Sequence, residues 1–126
     1  MRDKVAFVVD DEVLFADSVA EFLNTQGYNA IAFHNPLEAL AASVPLSPDL
    51  LLSDFNMGEM DGLTLAMRLT ERHPDCKVLM MSGAAQDTIP TSGMFEFLPK
   101  PVPLAVLLDR VTELIGGNIT QPNRNV

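Results

Sequence analysis

The sequence is poor in cysteine, in positive charge and in long apolar runs. Cys76 is the only cysteine, so an internal disulfide is excluded, and this residue is predicted to be a small, partly buried hydrophobic side chain. Lysine and arginine number 8 against 17 aspartates and glutamates, which gives a net charge of −9. That balance argues against direct contact with nucleic acid, because phosphate contacts need lysine and arginine.

The chain also lacks any run of about 18 apolar residues, so no membrane span is expected. The N-terminus leads directly into a strand pattern without the features of a secretory signal peptide, and the chain is therefore expected in the cytoplasm. Its 126 residues fit one domain with a substantial core. We place that domain at residues 1–117 and predict a polar, disordered tail at residues 118–126.

Strand and helix patterns alternate along the chain, which predicts βαβ units and a parallel sheet. The predicted strands are near residues 4–9, 29–33, 49–53, 77–81 and 94–98. The predicted helices are near residues 13–26, 36–43, 63–73 and 103–115. Leu104 is assigned to the apolar stripe of the last helix, and the methionines, including Met67, are assigned to the core.

Chemically active side chains follow the strands at their carboxyl ends: Asp10 and Asp11, Asp54, Ser82 and Lys100. In an open parallel sheet these ends meet at one edge, where ligands bind. Adjacent carboxylates repel one another, so a fold that groups them usually supplies a cation. Mg²⁺ prefers a few carboxylates together with water and phosphate oxygens. The pattern therefore predicts a site for a metal ion and a phosphoryl group.

Each residue has a possible role in that chemistry. A metal-bound aspartate such as Asp54 is a competent nucleophile that forms an aspartyl phosphate, and the backbone carbonyl of Asn56 can reach the same metal. The Ser82 hydroxyl can donate to a phosphoryl oxygen. Lys100 can offset the carboxylates and hold a phosphoryl oxygen, and Pro101 allows a fixed, cis peptide that aims the lysine.

Structural explanations compete with these roles. An acidic pair is favoured at a helix start by the helix dipole, Ser82 can close a local turn, and a lone lysine is usually a solvated surface charge. Phe97, inside the fifth strand, is predicted either as a core residue or as a rotameric switch coupled to Ser82. The presence of all the polar groups at one edge favours the chemical interpretation.

Four motifs resemble the receiver domain of two-component response regulators. They are VVDDE at residues 8–12, DFNMGEMDG at 54–62, MSG at 81–83 and FLPKP at 97–101. The resemblance implies an α/β fold with a five-stranded doubly wound parallel sheet of order 2-1-3-4-5, flavodoxin-like. It also implies a switch rather than a turnover enzyme. Such a chain takes a phosphoryl group from a histidine kinase or a histidine phosphotransfer protein and signals to an effector protein, here unidentified.

The resemblance assigns the metal site residue by residue. It implies that Asp54 is the phosphoacceptor, and that Asp11 and Asp54 are side-chain ligands of Mg²⁺. The Asn56 carbonyl would be a third ligand, and Asp10 would hold the metal through water.

The resemblance also implies a switch hydroxyl at Ser82, a phosphate-binding ammonium at Lys100 and a switch aromatic at Phe97. Two features depart from the family pattern. Gly58 stands where the family commonly has proline. The stretch at residues 82–100 is shorter than expected by about one helical turn, so the helix between the fourth and fifth strands is expected to be shortened or irregular.

Other classes remain as alternatives. The chain could be the receiver module of a hybrid histidine kinase. A phosphatase of the haloacid dehalogenase type shares the aspartyl-phosphate chemistry, but it needs D-x-D after the first strand, where this chain has Asp10, Asp11 and Glu12. A structural pseudo-receiver that never takes phosphate is disfavoured by the joint presence of four site residues, Asp11, Asp54, Ser82 and Lys100. A nucleotide-binding Rossmann domain is disfavoured because no glycine-rich loop follows the first strand.

Overall fold

The computed structural model describes residues 3–83 and 95–116. Within these ranges one parallel sheet contains the strands Val5–Val9 (β1), Asn29–Phe33 (β2), Leu50–Asp54 (β3), Lys77–Ser82 (β4) and Glu96–Pro99 (β5). The helices are Val13–Thr25 (α1), Pro36–Leu46 (α2), Gly62–Arg72 (α3) and Leu104–Ile115 (α4). The strand order β2-β1-β3-β4-β5 confirms the predicted doubly wound α/β fold.

The sheet register brings the carboxyl ends of four strands side by side. Val9 of β1 lies beside Ser53 of β3, Asp54 lies beside Met81 of β4, and Ser82 lies beside Pro99 of β5. Parallel strands in this register deliver the residues that follow them to the same edge of the sheet.

The core has two layers, one on each face of the sheet. Ala6 and Val8 of β1 pack in the layer that contains buried residues of α1 and α4, whereas Phe7 and Val9 pack in the layer that contains buried residues of α2 and α3. Successive strand residues point to opposite faces, and both faces are covered. This is why the central strands are continuous apolar runs rather than alternating ones.

Side-chain caps define two helix starts. The Asn35 side chain accepts hydrogen bonds from the backbone N–H groups of Leu37, at 2.7 Å, and Glu38, at 3.4 Å, and Pro36 occupies the first turn of α2. An asparagine cap followed by a first-turn proline is a typical start of a helix. At α3, the Asp61 side chain accepts a hydrogen bond from the Thr64 N–H at 2.7 Å.

Two predictions about α2 and α3 were wrong. The α2 helix was expected to end near Ser43, but it continues through Pro45 to Leu46, and the Ser47 N–H closes its last turn by donating to the Ser43 carbonyl oxygen at 3.0 Å. Met67, predicted to lie in the core, is 48% exposed. The buried residues of α3 are Gly62, Leu65, Ala66 and Leu69. Met67 falls outside their spacing of three and four residues.

In α4, Leu107 and Val111 are buried. Leu104, predicted to lie on the apolar stripe, is 45% exposed because it is the first residue of the helix. The other helix and strand bounds differ from prediction by at most two residues. The shortened helix predicted between the fourth and fifth strands and the tail predicted at residues 118–126 lie outside the described residues. Among the described residues, no helix is both long and apolar enough to span a bilayer.

Candidate functional site

Three aspartates form a compact cluster beyond the carboxyl ends of β1 and β3. One carboxylate oxygen from each of Asp10, Asp11 and Asp54 lies within 4.8 Å of the others, and this is the only such group of three possible metal ligands within residues 3–83 and 95–116. Asp10 is fully buried, Asp54 is 7% exposed and Asp11 is exposed. The cluster therefore has one solvent-facing member and two that are largely removed from water.

Asp10 is held by both of its carboxylate oxygens. Oδ1 accepts a hydrogen bond from the Glu12 N–H at 2.9 Å, and Oδ2 accepts one from the Lys100 Nζ at 2.8 Å. The Asp10 N–H in turn donates to the Phe33 carbonyl oxygen at 3.1 Å. A fully buried carboxylate needs such partners, so Asp10 is a fixed part of the site.

Lys100 brings the positive charge of the site to these carboxylates. Its Nζ lies 2.8 Å from Asp10 Oδ2, 3.4 Å from Asp54 Oδ1 and 4.6 Å from the centroid of the Phe15 ring. Burial by itself would lower the pKa of Lys100. The hydrogen bond and charge of Asp10, together with the charge of Asp54, outweigh burial and raise that pKa. Lys100 is therefore an ammonium, and the peptide bond between Lys100 and Pro101 is cis, as the sequence allowed.

At Asp54, burial and the neighbouring carboxylates outweigh the effect of Lys100. Burial raises the pKa of Asp54, and the charge of Asp10 raises it further. Lys100 lowers it, and Asp11 adds a smaller upward contribution, so that the pKa stays above its ordinary value. Three carboxylates face one ammonium here. Oxygen ligands at this density, with a negative charge left over, fit a divalent cation such as Mg²⁺.

Close backbone contacts at the junction of β3 and α3 fix the position of Asp54. The Phe55 N–H donates to the Met81 carbonyl oxygen at 2.7 Å, and the Gly62 N–H donates to the Phe55 carbonyl oxygen at 2.8 Å. A Cβ atom at Gly62 would lie 2.3 Å from the Asp54 carbonyl oxygen, which is far inside van der Waals contact. Only glycine allows α3 to begin this close to Asp54.

Ser82 and Asn56 lie where the sequence placed them. Ser82 ends β4 and is 1% exposed, and its carbonyl oxygen accepts a hydrogen bond from the Lys100 N–H at 2.8 Å. Asn56 lies exposed in the loop after β3, two residues beyond Asp54. The cluster consists of side-chain oxygens, so the Asn56 carbonyl ligand stays a prediction.

Phe97 lies in β5 and is half-buried. Its ring meets the Phe55 ring edge-on, with centroids 5.7 Å apart and an interplanar angle of 64°, and it packs against the core layer of α2 and α3. These contacts fit the core role predicted for Phe97. Its switch role stays a prediction.

Sequence reasoning missed two residues of the site. Gly62 was seen only as part of a motif, although the pair Asp61 and Gly62 at a helix start signals a close backbone approach. Phe15 falls on the apolar face of α1, which already gives it a core role. Asp11 precedes α1, so no helical spacing links Phe15 to the site, and the sequence carries no signal of its contact with Lys100.

Comparison with known proteins identifies a family. The family model described as the response regulator receiver domain matches residues 6–112. The DNA-binding transcriptional regulator NtrC of Salmonella typhimurium is 35% identical over 105 residues, which is 80% of this chain and 22% of that protein. The sensor kinase CckA of Brucella abortus is 35% identical over 114 residues, 86% of this chain and 12% of that protein. The chain thus spans less than a quarter of either relative.

Solved structures show the same fold. The receiver domain from the hybrid histidine kinase CckA is 28% identical, with a TM-score of 0.76 over 89% of this chain and 98% of that one. A CheY-like receiver domain protein from Methanospirillum hungatei is 24% identical, with a TM-score of 0.83 over 90% of this chain and 94% of that one. The second likeness concerns the fold alone. The matched family is not that of the haloacid dehalogenases, and that alternative has no support.

Proposed function

This chain belongs to the response regulator receiver domain family, and on that premise we propose that it accepts a phosphoryl group on the carboxylate of Asp54. Receiver domains are phospho-accepting signalling modules of two-component systems. The observation that carries the assignment to Asp54 is its place among Asp10, Asp11 and Lys100, with its Oδ1 3.4 Å from the Lys100 Nζ. The Asp54 side chain is 11% exposed, so its carboxylate is largely buried but still reachable from solvent.

Mg²⁺ is the proposed cofactor. Asp11 and Asp54 would hold it directly with the Asn56 carbonyl, and Asp10 would hold it through water. When bound, the ion offsets the charge of the carboxylates and of an incoming phosphoryl group. The excess of carboxylates over ammonium groups and the raised pKa of Asp54 both support a cation at this place.

The proposed reaction is a transfer from a phosphohistidine. One carboxylate oxygen of Asp54 attacks the phosphorus, a P–O bond forms and the P–N bond breaks. The bonding electron pair leaves with the imidazole nitrogen, which then takes a proton from water, so the products are an acyl phosphate and a neutral histidine. Lys100 is close enough to Asp54 to bind a phosphoryl oxygen as charge moves onto that group.

The change in conformation would begin at Ser82 and Phe97. The Ser82 hydroxyl is the proposed donor to a phosphoryl oxygen on Asp54, and the half-buried Phe97 would repack as the end of β4 moves. The hydrogen bond from the Lys100 N–H to the Ser82 carbonyl oxygen supports this coupling, because it ties the ends of β4 and β5 together.

The proposed phosphoryl donor is a histidine kinase or a histidine phosphotransfer protein, and the effector is another protein or segment. We propose a cytoplasmic location, no contact with nucleic acid by this chain, and a switch without catalytic turnover. A receiver module within a hybrid histidine kinase is a second candidate, favoured by the 28% identity to the receiver from the hybrid kinase CckA. The same Asp54 chemistry would serve either protein.

Intact-mass spectrometry after incubation with acetyl phosphate and Mg²⁺ tests the proposal. The wild-type chain should gain the mass of one phosphoryl group, and Asp54→Asn should gain none. Asp75→Asn is a matched control because Asp75 is exposed in the turn before β4, and it should gain the same mass as the wild type. Chelation of Mg²⁺ should prevent the gain. Full phosphorylation of Asp54→Asn would overturn the assignment.

A further inference from the structure

The Lys100 ammonium has an aromatic neighbour in addition to its two carboxylates. The centroid of the Phe15 ring lies 4.6 Å from the Lys100 Nζ. Phe15 belongs to the first turn of α1 and is half-buried against the core layer of α1 and α4. These core contacts fix the position of the ring. The ring lies beneath the Lys100 ammonium, which is the one positive charge in contact with the aspartate cluster among the described residues.

A ring at this distance attracts an ammonium. Cation–π contacts are effective when the cation lies within about 6 Å of the ring centroid, and they strengthen as water is removed. The Lys100 side chain is 20% exposed, so most of it is already out of water. The ring also differs from the carboxylates in one respect. It cannot bind a metal ion or accept a phosphoryl group, so its attraction persists when Asp10 and Asp54 are engaged by other partners.

We propose that Phe15 is a positioning residue, whose ring holds the Lys100 ammonium at the site so that it can bind a phosphoryl oxygen on Asp54. This inference rests on the proposed function of Asp54. Without the ring, Lys100 would be held only by carboxylates, and the nearer of these, Asp10 Oδ2 at 2.8 Å, would draw it away from the phosphoryl group. The ring supplies a second attraction that balances this pull.

A purely structural role for Phe15 makes a different prediction. Phe22 lies two turns further along α1 and packs against the same core layer, so it is a matched control for packing. Fluorination withdraws electron density from a ring and weakens its attraction for a cation, while the shape of the side chain changes little. If Phe15 acts only through packing, fluorination at either position should have the same small effect.

The experiment places 4-fluorophenylalanine and 3,4,5-trifluorophenylalanine at position 15 or at position 22. The Kd for beryllofluoride, a phosphoryl mimic, is measured at saturating Mg²⁺. Each step of fluorination at position 15 should raise that Kd, and trifluorination should raise it about fivefold. Fluorination of Phe22 should leave the Kd unchanged, and Phe15→Tyr should keep the wild-type value. Thermal unfolding of each variant reports any loss of stability.

A second measurement examines the contact itself. The ε-CH₂ protons of Lys100 should show a ring-current shift in the NMR spectrum of the unliganded chain, and Phe15→Leu should remove it. The absence of that shift, or a Kd that stays constant through the series at position 15, would overturn the inference alone. A wild-type chain that binds no beryllofluoride would overturn the proposed function of Asp54, and the role of Phe15 with it.

Discussion

At the scale of single residues, Cys76 shows how burial changes the chemistry of a side chain. It is 6% exposed in the core layer of α2 and α3, as the sequence predicted. Burial raises the pKa of its thiol from 9.0 to about 12, and the charge of Asp49 contributes to the rise. The folded chain therefore keeps this thiol neutral at pH values where an unfolded chain would ionise it.

This difference predicts a loss of stability in alkali. The unfolded state releases the Cys76 proton above pH 9, whereas the folded state holds it until about pH 12, so the free energy of unfolding falls as pH rises between these values. By pH 10 the loss should be about 1.4 kcal/mol. Urea unfolding at pH 8 and pH 10, under reducing conditions, measures it.

Cys76→Ala is the control for this prediction. It should be less stable than the wild type at pH 8, because a buried side chain becomes smaller, but it should lose about 1.4 kcal/mol less on going to pH 10. The other titrating groups contribute equally to both proteins. An equal loss in wild type and Cys76→Ala would contradict the prediction.

Much of the site at this scale could be predicted from residue types and strand ends. Asp10, Asp54 and Lys100 follow apolar runs, and parallel strands carry the residues that follow them to one edge of the sheet. The contact between Phe15 and Lys100 could not be predicted in the same way. A phenylalanine on the apolar face of a helix already has a core explanation, and only the three-dimensional packing shows which polar group its ring also meets.

At the scale of elements, the junction of β3 and α3 decides where Asp54 lies. The α3 helix starts against the end of β3, and Gly62 is the point of closest approach. A Cβ atom there would lie 2.3 Å from the Asp54 carbonyl oxygen and 3.1 Å from the Phe55 Cα. Both atoms belong to the backbone, which cannot rotate away as a flexible side chain can. Any larger residue at position 62 must therefore displace the strand end or the helix.

We expect Gly62→Ala to lower the free energy of unfolding by about 1–3 kcal/mol, as overpacking of a tight contact does. It should also slow phosphorylation by acetyl phosphate, because the displaced backbone carries Asp54. Urea unfolding and the rate of mass gain measure the two effects. Gly58→Ala is a close control, since nothing lies within 4 Å of a Cβ atom there.

Gly58→Ala should change the free energy of unfolding by no more than about 0.5 kcal/mol. If Gly62→Ala is as stable as Gly58→Ala and phosphorylates at the wild-type rate, the close contact does not position Asp54.

The bounds of the strands and helices were mostly predicted from the sequence, with exceptions in α2 and α3. Most strands and helices were predicted to within one or two residues, because apolar runs and caps such as Asn35 mark them directly. The extension of α2 through Pro45 was not predicted, since proline usually ends a helix. Met67 was assigned to the core from its residue type alone. Which side of α3 meets the sheet is set by Leu65 and Leu69.

At the scale of the whole molecule, the fold brings a third carboxylate to two that are already neighbours in the sequence. The net charge is −9, and folding places one carboxylate oxygen of Asp54 within 4.8 Å of one oxygen from each of Asp10 and Asp11. Two of them also lose most of their contact with water. Lys100 offsets part of the repulsion. The rest is a cost that folding must overcome, and a bound cation would remove it.

The pKa of Asp54 gives the sign of that cost. Because its pKa in the folded chain is raised above 3.8 by burial and by Asp10, the proton is held more tightly in the folded state. This tighter proton binding contributes to the free energy of unfolding. The contribution is fully present below pH 3.8, the unfolded-state value, and is lost as pH rises through the folded-state pKa. At pH 7 the ionised Asp54 therefore destabilises the metal-free fold. Asp54→Asn should therefore have a higher melting temperature than the metal-free wild type at pH 7. The difference between the two melting temperatures should shrink as pH falls toward 4.

Mg²⁺ should likewise raise the melting temperature of the wild type. An ion that binds only the folded state adds about 3 kcal/mol to the free energy of unfolding at a concentration about 100 times its Kd. Differential scanning fluorimetry over a Mg²⁺ titration at pH 7 should show a rising melting temperature for the wild type and for Asp75→Asn, which keeps the whole cluster. The melting temperature of Asp54→Asn should be higher without Mg²⁺ and should rise much less on its addition, because this variant lacks both the repulsion and a ligand.

A wild-type melting temperature that stays constant up to saturating Mg²⁺ would show that the aspartate cluster does not hold the ion. An Asp54→Asn variant less stable than the metal-free wild type at pH 7 would show that the contact with Lys100 outweighs burial and repulsion at this site.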